Sequence, residues 1–118
     1  MAQIKYNLGN VKNGINYSTD EQEIGTWING KPLYRKVVVI DNPSSGMPIS
    51  IANIDEPINA SWKQLYGSNT LCFCYGENGS SCSAIIFNTT SKNFEIVMTG
   101  KFKGKMVAIV EYTKTTDA

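Results

Sequence analysis

The chain has 118 residues, one domain at about 100–200 residues per domain. With 42% hydrophobic and 18% charged residues it is too apolar for intrinsic disorder, and at +1 its bulk charge points to neither nucleic acid nor an acidic membrane surface. It contains no histidine, which excludes Ser-His-Asp and Cys-His catalysis, His-ligated zinc and a pH switch near neutrality.

Residues 1–16 read as a leader or a shaft remnant ahead of a domain at 17–118. Met1-Ala2-Gln3-Ile4-Lys5-Tyr6 carries no apolar signal core, and no run of 18 apolar residues spans a bilayer. The first sharp signal is Gly25-Thr26-Trp27-Ile28-Asn29-Gly30-Lys31-Pro32-Leu33-Tyr34. Asn-Gly is the preferred pair for a two-residue type I′ turn, so a hairpin is expected with strands near 23–28 and 31–40. Pro32 cannot donate to a ladder and belongs at an edge or at the turn. Val37-Val38-Val39-Ile40 is apolar on both faces, the pattern of a strand between two layers or between subunits.

Asp41 to Pro48 is a loop by composition. Ile49–Ile54 fits a strand or one helical turn, and Pro57 suits a first helical position. Ser61–Tyr66 fits a strand or a helix fragment equally. Leu71-Cys72-Phe73-Cys74-Tyr75 has strand composition and runs into the turn formers Gly76–Ser81. Cys72, Cys74 and Cys82 are an odd set that argues against a paired disulfide framework, and they lack the fourth ligand a structural zinc requires. Reduced thiols and no cofactor are the expectation.

The last third contains three apolar runs, Ser83–Phe87, Phe94–Thr99 and Lys105–Tyr112, joined by short connections and expected to form an antiparallel meander. Phe94, Ile96 and Met98 share one face, as do Met106, Ala108, Val110 and Tyr112; Val97, Val107 and Ile109 make the opposite faces apolar as well. Many short strands between turn signals indicate an all-β fold, a small antiparallel β-sandwich or barrel-like domain. Apolar residues left over on second faces point to a homo-oligomer.

The segment Tyr17-Ser18-Thr19-Asp20-Glu21-Gln22-Glu23-Ile24-Gly25-Thr26-Trp27-Ile28-Asn29-Gly30-Lys31-Pro32-Leu33-Tyr34-Arg35-Lys36 resembles the opening of head domains in tailed-bacteriophage (prophage) tail-fibre and minor structural proteins. The closing strand Val107 to Asp117, with its Ile109-Val110-Glu111-Tyr112-Thr113-Lys114-Thr115-Thr116-Asp117 ending, is similar to the end of the same domains. The resemblance brackets residues 17–117. It implies a β-rich trimeric fibre head on a virion, made in the bacterial cytoplasm, that adheres to a host-surface glycan or protein. It implies neither nucleic-acid binding nor membrane insertion. The chain departs from the family in having only Met1–Asn16 where fibres carry a long shaft.

Binding residues belong on loops held by rigid sheets. The stretches 60–69 and 75–82 are richest in Tyr, Trp, Asn, Ser and Gly, which makes Trp62, Tyr66, Tyr75 and Asn78 the candidate receptor contacts. Aromatic rings offer an apolar platform to sugar C–H faces. Trp27, Tyr34 and Tyr112 read as core. The acidic run Asp20-Glu21-Glu23 lacks calcium-loop spacing and reads as a solvated face. Lys101, Lys103 and Lys105 read as edge protection, and the sequons at Asn16, Asn59, Asn78 and Asn88 as Asn-rich loops. A sugar-cleaving site needs two carboxylates about 5–9.5 Å apart. Only Asp55, Glu56 and Glu77 qualify by position, so no catalytic residue is assigned and the reading is a binding module. The alternative is a structural trimerisation tip with no receptor.

Overall fold

The computed structural model describes residues 16–66, 70–73, 82–99 and 102–117. Its strands are β1 (Gln22–Thr26), β2 (Pro32–Ile40), β3 (Pro48–Ile49), β4 (Ile54–Tyr66), β5 (Thr70–Phe73), β6 (Cys82–Asn88), β7 (Asn93–Thr99) and β8 (Phe102–Lys114). They form two antiparallel sheets, a larger one in the order β1-β2-β8-β4-β5 and a smaller one in the order β3-β7-β6. The all-β, sandwich-like architecture is the one expected from the sequence.

The first hairpin forms where Asn29-Gly30 places it, but by another turn. Gly30 N–H donates to the Trp27 carbonyl at 2.9 Å and Trp27 N–H to the Lys31 carbonyl at 2.8 Å. Gly30 has φ of +88° while Asn29 stays at negative φ. This is a three-residue loop, a type I turn closed by a left-handed glycine, and not a type I′ turn. The Asn29 side chain prefers the closure because its Oδ1 accepts the Lys31 N–H at 3.0 Å. Pro32 then takes the first position of β2, where its missing donor costs no ladder bond.

The second hairpin of the expected meander is absent. β6 and β7 pair from Cys82↔Thr99 to Asn88↔Asn93, but β8 leaves for the larger sheet, between β2 and β4. The reason lies in the apolar faces of both strands. Phe94 and Ile96 on β7 and Met106, Ala108, Val110 and Tyr112 on β8 are all buried, so the two strands face each other across the core instead of lying side by side. Ile49, Ile51, Ile54, Trp62 and Phe102 complete that core. Each of the Ile, Val, Met and Phe side chains among them contributes about 1.5–3 kcal/mol relative to exposure.

β4 also differs from the sequence reading. Asp55, Glu56 and Pro57 lie within a strand, not in a loop or at a helix start. Pro57 is accommodated by register shifts on either side of it, and β5 reaches only Lys63–Tyr66, so among the described residues the proline's other flank has no ladder to break. A further irregularity between Lys63 and Leu65 lies opposite Gly104, whose φ of +79° only glycine adopts readily. Gln64, fully buried, donates Nε2 to the Gly104 carbonyl at 3.1 Å and pins that bulge.

Candidate functional site

The four candidate receptor contacts do not form one surface. Trp62 is 4% exposed and stands edge-on to Phe102, with ring centroids 5.7 Å apart. It is a core residue, because its strand pairs it with Ala108 on the filled face of β8. The stretch read as loop 60–69 is strand as far as Tyr66, which pairs with Thr70 and Phe102. Tyr75 and Asn78 lie outside the described residues, as do Cys74, Glu77 and Lys101. Cys72 sits in β5 opposite Gln64, and Cys82 opens β6 opposite Thr99.

The topology nevertheless gathers several strand ends at one end. Tyr66, the last residue of β4, pairs with Thr70 at the start of β5 and with Phe102 at the start of β8. Residues 100–101 join Thr99, paired with Cys82, to Phe102. Three peptide units reach at most about 11 Å, so Thr99 and Phe102 lie at the same end of the two sheets. Phe73 lies opposite Lys63, and Cys82, paired with Thr99, begins β6 at this end.

The opposite end is closed by a polar network. Tyr112, fully buried, donates its hydroxyl to Glu21 Oε2, and Lys114 Nζ lies 2.9 Å from Glu21 Oε1. Tyr34 stacks on Tyr112 at 6.2 Å and donates to Asp117 at 2.7 Å, with the Lys114 ammonium 5.1 Å over its ring. Glu21 is therefore an engaged carboxylate and not part of a solvated acidic run. Partial burial pushes its carboxyl up, but hydrogen bonds from Tyr112 and Lys114 and the lysine charge outweigh this and hold it below its ordinary value. Burial, then the Glu21 bond, pushes the Tyr112 phenol up. The bond to Asp117 pushes Tyr34 up to about 12. Nearby, Lys31 bridges Asp55 at 2.8 Å. Every polar group of this network already has a partner inside the fold, so its chemistry is that of a clamp.

The larger sheet has a second face, turned away from β3, β7 and β6. Val37 lies opposite Ile109 and Val39 opposite Val107. Together with Tyr17, Ser61, Trp62 and Lys63, Val37, Val107 and Ile109 line a groove of about 330 Å³. Tyr17 is 60% exposed and its ring lies 4.2 Å from the Arg35 guanidinium. The sequence pointed to this face through Val107 and Ile109, but no spacing assigned Tyr17 to it, because the residue precedes the first strand. Among the described residues no group of three or more His, Cys, Asp and Glu side chains is placed to hold a metal ion. No helix among them is long and apolar enough to cross a membrane.

Comparison with protein-family models, with curated proteins and with solved structures finds no match.

Proposed function

We propose that this domain is a non-covalent adhesion module of the phage tail-fibre head kind, contacting a glycan or protein on a bacterial surface. One observation supports the reading: with the double layer clamped at one end by Glu21, Tyr34, Tyr112, Lys114 and Asp117, the strand ends Tyr66, Thr70, Cys82, Thr99 and Phe102 gather at the other. Ligand contacts favour connections whose ends are fixed by sheets, since little order has to be paid on binding. Tyr75 and Asn78 belong to the connection 74–81, and their residue types suit a sugar ring and its hydroxyls. Several copies on one fibre would raise avidity with no new contact. The reading places the protein on a virion.

A fluorescent fusion screened against a panel of bacterial cells tests the proposal. Saturable labelling of some strains and not others is expected, and uniform absence of labelling across hosts and near relatives overturns it. Sugar release from the same cell walls would mean cleavage in place of adhesion.

The structural-tip reading has its own observation, the apolar groove on the outer face of the larger sheet. It requires that face to meet other copies, and light scattering then gives three times the 13.0 kDa chain mass.

A further inference from the structure

We infer that Lys63, Lys103 and Lys105 form a docking patch for a polyanionic surface polymer, one that carries phosphate or carboxylate groups along its chain. The inference deepens the adhesion reading, and its cellular meaning rests on that reading.

The three lysines converge from two strands. In β8, Lys103, Gly104 and Lys105 are exposed between Phe102 and Met106, which are both buried in the core. Lys103 lies opposite Leu65, and Lys63, also exposed, lies opposite Val107. Partners in register share a face, and Trp62 and Ala108, one step along each strand, belong to the core. All three lysines therefore stand on the outer face of the larger sheet. Lys105 is the diagonal neighbour of Lys63, a placement that sets positions roughly 7–8 Å apart. The patch lies at the end where Tyr66, Thr70, Cys82, Thr99 and Phe102 gather.

Edge protection, the reading the sequence suggests for Lys103 and Lys105, does not account for the set. β8 runs between β2 and β4, and only its first few residues extend past the Ile40↔Met106 pair that ends β2. Lys63 is paired on both sides, with Val107 of β8 and Phe73 of β5, and a lysine between two strands guards no edge. Nor are the charges used up within the fold. Among the described residues Lys63 and Lys103 have no carboxylate in salt-bridge range. Lys105 has Asp41 at 3.9 Å, with both side chains mostly exposed. A pair that exposed contributes little and exchanges readily for another anion.

The surroundings set the class of partner. Ser61, two residues before Lys63, lines the same groove and offers a hydroxyl, while half-exposed Val39 pairs with Val107 and gives C–H groups an apolar strip beside the lysines. Lysine is a hydrated point charge on a flexible stem, which suits anions repeated along a polymer better than one rigid anion held in a fork. A chain of net charge +1 lacks the strongly basic balance that nucleic-acid binding calls for.

Fluorescence anisotropy tests the patch with labelled polygalacturonate as the carboxylate polymer and labelled inorganic polyphosphate as the phosphate polymer. Labelled dextran is the neutral control, and single-stranded DNA represents the competing class. Binding to at least one polyanion and not to dextran is expected, weakening about tenfold from about 50 to 200 mM salt. The tighter of the two polyanions identifies the anion. Lys63→Gln/Lys103→Gln/Lys105→Gln should lose about tenfold or more in affinity with β-sheet circular dichroism unchanged, and arginine at the same three positions should retain binding. No binding to either polyanion, equal binding to dextran, or unchanged affinity in the folded glutamine variant overturns the inference. Tighter binding to DNA than to both polyanions also overturns it and gives the patch to nucleic acid. The assay uses no cells, so a screen that labels no strain overturns the adhesion reading alone, and failure of polymer binding overturns the patch alone.

Discussion

At one end of the larger sheet, Glu21, Tyr34, Tyr112, Lys114 and Asp117 hold β2 and β8 to the chain segments that flank them, through charge-assisted hydrogen bonds. At the other end, the strands are held by Trp62 against Phe102 and by Gln64 on the Gly104 bulge. The first end spends its polar groups on itself, whereas the second is secured from inside by packing. The two kinds of fastening also respond to different perturbations. Carboxylates and phenols titrate, whereas an aromatic pair does not. Exposed ion pairs contribute little, whereas buried rings contribute several kcal/mol.

The largest expected effect is at the packed end. Trp62→Ala removes a buried ring beside Phe102 and should cost about 3–5 kcal/mol, read as a lowered midpoint in urea. A cost below about 1 kcal/mol would place Trp62 at the surface, where the sequence reading put it. Next comes the clamp. Tyr112→Phe keeps the ring but leaves Glu21 Oε2 without its donor, for a loss of about 1–3 kcal/mol at neutral pH.

Acid sharpens the contrast between the ends. Glu21 has a folded pKa below its ordinary 4.5, so its contribution is complete above 4.5 and is lost as pH falls through the lower folded value. In Tyr112→Phe that loss should be smaller and finish at higher pH, because one of the bonds holding the carboxylate ionised is gone and its folded value rises. A conservative Trp62→Phe change should leave the acid limb where it is. At alkaline pH the sign reverses. Tyr34 has its folded value raised to about 12 from 10.0, so stability present below 10 declines as pH rises through 12. Ultraviolet titration of tyrosinate should show late-titrating phenols, one fewer of them in Tyr34→Phe. The smallest effect belongs to the peripheral pair: Lys31→Ala, which breaks the bridge to Asp55, should cost less than about 1 kcal/mol and fade with salt.

The parts of the fold legible in the sequence were those decided locally. The Trp27–Pro32 turn chemistry placed the first hairpin, and period-two alternation picked out the buried faces of β7 and β8. What alternation does not say is whether two such faces lie side by side or opposite each other, and so β8 was assigned to the wrong neighbour. Asp55-Glu56-Pro57 carried turn chemistry that the tertiary pairing of β4 with β8 overrode. Of the candidate site, composition alone indicated Trp62. Its strand register put the ring in the core, and a one-residue difference in register decides between the two faces. Glu21 was hidden because its partners Tyr112 and Lys114 lie 91 and 93 positions away.

The adhesion reading rests on the difference between the ends, and one measurement puts both to use. On a strain that binds the wild-type fusion, flow cytometry compares a Tyr75→Ala/Asn78→Ala fusion with an Ile28→Ser fusion. Ile28 is 90% exposed on the first hairpin's turn and serves as the distant control. The account predicts at least tenfold weaker labelling by the first variant, with both variants folded, and unchanged labelling by the second. The reverse pattern, or no loss from Tyr75→Ala/Asn78→Ala, would contradict it.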